Sequence, residues 1–152
     1  MELNTLYIRN YSCFEDIDIV LDNHLTLFVG KNGAGKSTIL DAIAISSFFC
    51  GIEGTVSRNI QKEDARYHIY ELDGIIDSQH QFPVEITGKG VCNGKKDLEW
   101  TRSLNSAGGK TTLKDAHQII DIAEQMQKQI MLGNAEMVLP ILSYFGTGRL
   151  YA

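Results

Sequence analysis

The sequence predicts an α/β domain, and three adjoining stretches predict it. An apolar run, Leu25-Thr26-Leu27-Phe28-Val29, leads into the glycine-rich GKNGAGKST, which leads into Ile39-Leu40-Asp41-Ala42-Ile43. A buried strand feeding a glycine loop that opens a helix is the setting in which GxxxxGK[ST] holds phosphate. Gly30, Gly35, Lys36 and Ser37 supply the fixed positions of that pattern.

From the N-terminus, Leu3 to Arg9 alternates as a strand does, and Ile17, Ile19 and Leu21 alternate with Asp16, Asp18 and Val20 in a second. The short gap from Asn10 to Glu15 predicts that the two pair antiparallel. Asp22-Asn23-His24 then turns the chain into Leu25 to Val29, whose unbroken apolar character predicts a strand covered on both faces. Lys36 to about Cys50 is apolar nearly all round, so it reads as a helix packed under a sheet, ended by Gly51 and Gly54.

Residues 55–110 change character. His68 to Leu72, Phe82 to Thr87 and Leu98 to Ser103 read as strands of a small antiparallel sheet. The breaks are Asp73-Gly74, Gly88-Lys89-Gly90, Asn93-Gly94 and Gly108-Gly109. Leu113, Ala116, Ile119, Ile120, Ala123, Met126 and Ile130 then recur at helical spacing, with Thr112 and Asp115 as a start and Gly133-Asn134 as a stop. Met126 and Met131 on that stripe read as core fillers. Met137 to Phe145 reads as a last strand, interrupted by Pro140, that runs into Gly146-Thr147-Gly148-Arg149. The predicted organisation is a phosphate-loop core over 1–54, an antiparallel β region over 55–110, and a helix and strand over 111–152.

The loop residues fit the chemistry of a nucleotide's β- and γ-phosphates. Glycines at 30, 33 and 35 let successive backbone N–H groups turn inward, where side chains would obstruct the wrapped loop. The helix beginning near Lys36 adds the partial positive charge of its N-terminus. Lys36 supplies a point charge for the β/γ-phosphates, and Ser37 a hydroxyl for Mg²⁺.

Composition narrows the remaining classes. The 152 residues are 43% hydrophobic, enough for one domain with its own core. Fourteen basic against nineteen acidic side chains give a net charge of −5, which offers no broad basic field for nucleic acid. Cys13, Cys50 and Cys92 have no C-x-x-C or His spacing, so neither zinc nor a disulfide framework is expected. No run approaches the ~18 to 20 apolar residues of a membrane span, and Met1-Glu2-Leu3-Asn4 carries no signal-peptide charge pattern. The expectation is a soluble, cytoplasmic protein without a membrane partner.

Beyond the loop motif, the segment LYIRNYSCFEDIDIVLDNHLTLFVGKNGAGKSTILDAI resembles the N-terminal ATP-binding lobe of ABC-class P-loop ATPases of the SMC and RecF type. There a hairpin with an I-x-N-[FY] turn precedes the NGAGKS loop. The resemblance is specific over residues 3–45 and follows only the order of elements over 55–145. The tail LPILSYFGTGRLYA is similar to a YGTGR segment of bacterial phage-defence ATPases, including those of Septu- and retron-type systems and their overcoming-lysogenization relatives. The resemblance implies that Asn32, Gly33, Ala34, Gly35, Lys36, Ser37 and Thr38 bind Mg-ATP, with Thr38 near the α-phosphate. It implies that Ser12 and Cys13 approach the base or ribose, mostly through backbone. It implies partners too: a C-terminal ATPase lobe, a second ATPase subunit in a dimer around nucleotide, a nuclease effector and DNA.

The sequence departs from that pattern in ways that bear on turnover. The family's Q-loop glutamine has no counterpart in Tyr144 to Arg149. Hydrolysis in the family also uses an Asp-Glu-terminated strand and a signature Ser-Gly-Gly helix, and neither is present. Ser106-Ala107-Gly108-Gly109-Lys110 reads as a turn, and Asn93-Gly94-Lys95-Lys96-Asp97 only imitates a guanine-reading NKxD because Gly94 displaces the lysine. The chain therefore reads as the first half of an ATPase, inactive by itself. A non-hydrolysing ATP sensor or scaffold in a defence complex is the alternative; a small P-loop kinase or GTPase fits the β-rich middle poorly.

Overall fold

The computed structural model describes residues 1–46, 58–141 and 143–146. The chain folds as an α/β unit, as the sequence predicts. Strands β1 (Glu2–Tyr11) and β2 (Phe14–Val20) form a hairpin, and helix α1 (Lys36–Ile45) follows the glycine loop. A 3-10 turn at Lys62–Asp64 precedes β3 (Tyr67–Leu72), β4 (Ile75–His80), β5 (Val84–Cys92) and β6 (Lys95–Leu104). A second 3-10 turn, Lys114–Ala116, leads into α2 (His117–Met131).

The main sheet has four strands in the order β2-β1-β5-β6, every described pairing antiparallel. The smaller antiparallel piece is the two-stranded ribbon β3-β4. Residues 55–110 thus supply both that ribbon and half of the main sheet. Two of the expected breaks are tight turns. Asp73-Gly74 and Asn93-Gly94 place both central residues at positive φ, the geometry that matches the twist of a two-residue hairpin. β4 was not legible: IIDSQH has a polar, turn-like second half and forms a strand because β3 pairs with it throughout.

Gly88-Lys89-Gly90 is not a break, and the correction has a steric cause. Both glycines lie inside β5. A Cβ on Gly88 would sit 2.8 Å from the Trp100 indole of the facing strand, and one on Gly90 would run into the Glu2 carbonyl oxygen. Glycine here makes room for a large ring and a close backbone.

One core cluster joins Leu6, Ile8 and Tyr11 of β1 and Val84 and Ile86 of β5 to Ile39, Ala42 and Ile45 of α1. The other packs Leu98 and Trp100 of β6 against Ile119, Ile122, Ala123 and Met126 of α2. Because strand side chains repeat every two residues, Leu98, Trp100, Arg102 and Leu104 share one face of β6. That face also grips the C-terminal end of α1. Trp100 Nε1 donates to the Ser46 carbonyl at 2.7 Å and Arg102 Nη1 to the Ile45 carbonyl at 3.0 Å. These carbonyls have no partner within the helix, and the guanidinium opposes the negative end of its dipole.

Several other expectations are corrected. Leu25 to Val29 forms no strand, and Leu25, Leu27 and Val29 are 78%, 78% and 85% exposed. A doubly covered strand needs a pairing edge and a layer over each face, and among the described residues no strand pairs with this run. Only Phe28 of the run packs on the core. The described residues of Met137 to Phe145 form no ladder either; Met137 and Leu139 pack on the second cluster while Val138 and Ile141 face outward. Thr112 does not start α2: it bridges Ser103, and neither helical turn there has a side-chain cap. Met126 is core, but Met131 sits in the last helical turn, 73% exposed. Gly133-Asn134 does stop the helix, through Gly133 N–H to Ile130 O and Asn134 N–H to Gln129 O. Cys50, Gly51 and Gly54 lie outside the described residues. Among those described, no helix is long and apolar enough to cross a membrane.

The Gly88 contact gives a direct test. Gly88→Ala should lower the unfolding free energy by about 1–3 kcal/mol, because Trp100 must move. Gly108→Ala, whose Cβ meets open space, should stay within about 0.5 kcal/mol of the parent. Urea titration of both variants decides it.

Candidate nucleotide-binding site

The loop from Gly30 to Ser37 lies at the N-terminus of α1, which begins at Lys36. Gly33 and Gly35 both have φ +84, a left-handed conformation that L side chains rarely adopt. Gly35 is the N-cap, with no side-chain cap and no acidic residue in the first turn. The first N–H groups of α1 therefore have no intrahelical partner and no carboxylate before them. Asn32, Gly33, Ala34 and Ser37 are exposed, and Lys36 and Thr38 are half-buried.

Lys36 folds back over the loop. Its Nζ donates to the carbonyls of Gly30 at 2.8 Å and Lys31 at 2.7 Å. Ala34 N–H closes the turn onto Lys31 O at 3.2 Å. The result is a cationic head held across the loop by two backbone oxygens. An anion with several oxygens can meet that ammonium and the uncapped helix end together.

The β1–β2 turn forms one wall of the loop. A Cβ on Gly35 would lie 2.5 Å from Phe14 Cζ and 2.7 Å from Cys13 Sγ. The structure thus brings the turn containing Ser12 and Cys13 against the glycine loop, with both residues exposed. Ser12 has φ +53, and its N–H donates to the Asp64 carbonyl at 2.6 Å. Tyr11 bridges Ala65, and Arg66 N–H donates to Asn10 O at 2.9 Å.

A polar cluster adjoins this wall that sequence reasoning missed. Asp41, one turn beyond Ser37 on α1, pairs with Arg58 Nη1 at 2.8 Å and accepts a hydrogen bond from Tyr144 Oη. Arg58 Nη2 pairs with Asp64 Oδ1 at 3.0 Å, while Asp64 Oδ2 accepts the Gln61 N–H at 2.8 Å. Its one sequence signal was a lone carboxylate within the apolar stretch STILDAIAI, which needs a partner once the helix packs. The titrations follow from these contacts. The hydrogen bond to Asp41, then burial, raises the Tyr144 pKa. Burial, then the Asp64 charge, raises that of Tyr11. Desolvation works against the Arg58 charge, but Tyr11, Asp64 and Asp41 outweigh it and hold its pKa above the ordinary value.

Other sequence candidates fall elsewhere. Ser106 to Lys110 is a turn closed by Gly109 N–H to Ser106 O at 3.0 Å. Asn93-Gly94 is the β5–β6 hairpin turn. No group of three or more metal-ligating side chains occurs among the described residues. Thr147, Gly148 and Arg149 lie outside the described residues.

A family model described as an AAA domain matches residues 5–151. The chain is 23% identical to the DNA replication and repair protein RecF of Oceanobacillus iheyensis, over 95% of this chain and 40% of that protein. It is 28% identical to the DNA double-strand break repair Rad50 ATPase of Archaeoglobus fulgidus, over 64% of this chain and 11% of that one. The OLD nuclease of Thermus scotoductus is 56% identical over 27% of this chain and 8% of its own. The chain thus spans two fifths or less of these relatives.

Thiol chemistry reads out the exposure of the loop wall. Cys13 is exposed, whereas Cys92 is buried and its burial raises the thiol pKa, leaving less thiolate at neutral pH. Iodoacetamide followed by peptide mass mapping should modify Cys13 well before Cys92.

Proposed function

The chain belongs to the AAA domain family, with the N-terminal lobe of an SMC/RecF-type ABC ATPase, and from that premise we propose that it binds Mg-ATP through its glycine loop. The observation that carries the reading is the Lys36 ammonium lying on the Gly30 and Lys31 carbonyls, beside a helix N-terminus without a side-chain cap. In this reading the backbone N–H groups of Asn32 to Gly35 wrap the β- and γ-phosphates. Lys36 neutralises them, Thr38 lies near the α-phosphate, and the Ser12–Cys13 turn faces the ribose and base. Ser37 would hold Mg²⁺, which supplies charge neutralisation of the phosphate oxygens. The division into a loop core over 1–54, a β region over 55–110 and a helix with its following segment over 111–152 belongs to the same reading.

The complete protein is then an ATPase whose C-terminal lobe supplies the carboxylate-tipped strand and signature helix. Two such heads enclose the nucleotide, and their engagement controls a DNA-repair or phage-defence activity such as a nuclease. Relatives with DNA-repair and nuclease names support that direction. The exposed Leu25, Leu27 and Val29 run fits the same picture, as an apolar surface that the other lobe covers.

Calorimetry with MgATP and MgGTP, on this chain and on its full reading frame, tests the proposal. Lys36→Ala should abolish detectable ATP binding; unchanged affinity would reject the pocket. Phosphate release from the longer chain alone supports a divided ATPase, and binding without release from either makes the protein a sensor. The uncovered 25–29 run predicts that residues 1–152 alone self-associate. A monodisperse monomer by light scattering would count against a missing lobe.

A further inference from the structure

The contacts around the loop close into a ring. Gly35 touches the β1–β2 turn through Cys13 and Phe14. Ser12 N–H holds that turn to the Asp64 carbonyl, and Asp64 is paired through its carboxylate to Arg58. Arg58 pairs in turn with Asp41, on the helix that begins directly after Gly35. Every connecting group but one in the ring is backbone, packing or a single hydrogen bond. The Arg58 guanidinium is the exception, with Nη1 on Asp41 of the helix after the loop and Nη2 on Asp64 of the segment to which the β1–β2 turn is hydrogen-bonded.

Neither carboxylate is shared with bulk water alone. Asp64 is largely enclosed and fixed by its own turn, and Asp41 is held by Tyr144 as well. A planar fork between two fixed carboxylates sets a distance, which a single flexible ammonium cannot do.

We infer that Arg58 is a positioning residue for the nucleoside end of the ligand, holding the Ser12–Cys13 turn at its spacing from the phosphate loop by bridging Asp41 and Asp64. The inference rests on the nucleotide-binding reading and adds a division of labour to it. The loop and Lys36 hold phosphate without help from Arg58. The turn, which meets the ribose and base, depends on it.

That division gives a selective readout. Binding of MgATP and of inorganic tripolyphosphate with Mg²⁺ is measured by calorimetry for the parent chain, Arg58→Met, Arg58→Lys and Asp41→Asn. Arg58→Met should weaken MgATP about tenfold and change tripolyphosphate by less than about twofold. Arg58→Lys, able to reach one carboxylate, should recover part of the loss. Equal losses for both ligands, or no loss for MgATP, overturn the positioning role and leave the phosphate-loop reading intact. A parent chain that binds neither ligand overturns that reading, and the inference with it. Should thermal unfolding show that Arg58→Met does not fold, Asp41→Asn carries the same comparison, since it neutralises one end of the bridge without removing the guanidinium.

Discussion

Residue 35 has no room for a side chain, and much of the molecule is arranged around that fact. The space is taken by Phe14 and Cys13, so the β1–β2 hairpin can reach the loop only because a glycine stands there. The same residue must turn the chain left-handed into α1 and leave its first N–H groups uncapped. One missing Cβ thus serves packing, backbone conformation and electrostatics at once. The hairpin is in turn held by β5 along its other edge, which ties the loop wall to the main sheet.

α1 is anchored at both ends, and the anchors differ in kind. At its C-terminal end Trp100 and Arg102 donate to the Ser46 and Ile45 carbonyls from the buried face of β6. Arg102 also donates to the Arg58 carbonyl at 3.1 Å and to Asn59 Oδ1 at 2.6 Å. The chain leading into the 3-10 turn Lys62–Asp64 is therefore fixed to the sheet just where Arg58 projects toward Asp41. A residue in the core of β6 sets the backbone from which the loop-side guanidinium works.

The loop, its helix and the first hairpin were legible in the sequence because each is a local pattern: alternation, an apolar run, glycines at fixed offsets. The tight turns at Asp73-Gly74 and Asn93-Gly94 were legible for the same reason. Gly88 and Gly90 were misread as a break because their meaning depends on Trp100 and Glu2, which approach only after the strands pair. Leu25 to Val29 was misread as covered because an apolar run states a demand for neighbours without stating where they come from. The Arg58 bridge was invisible for a stricter reason. Asp41, Arg58, Asp64 and Tyr144 have no shared period, and only the fold places them together.

Magnitudes decide which part of the site is free to respond to a ligand. Arg102 is 1% exposed and donates to several fixed oxygens, so removing it from them costs its full desolvation. Hydrogen bonds to charged groups contribute about 1.5–3 kcal/mol each, which makes that end of α1 a fixed support. Lys36 is the opposite case. Its two acceptors are neutral carbonyls at the surface, and water can replace them at small cost. A phosphate oxygen offers a charge-assisted bond about twice as strong as a neutral one. The ammonium can therefore change partners while the helix behind it stays in place. The asymmetry is what a phosphate-binding loop requires: a rigid floor set by β6 and a cation near its mouth held only by exchangeable bonds.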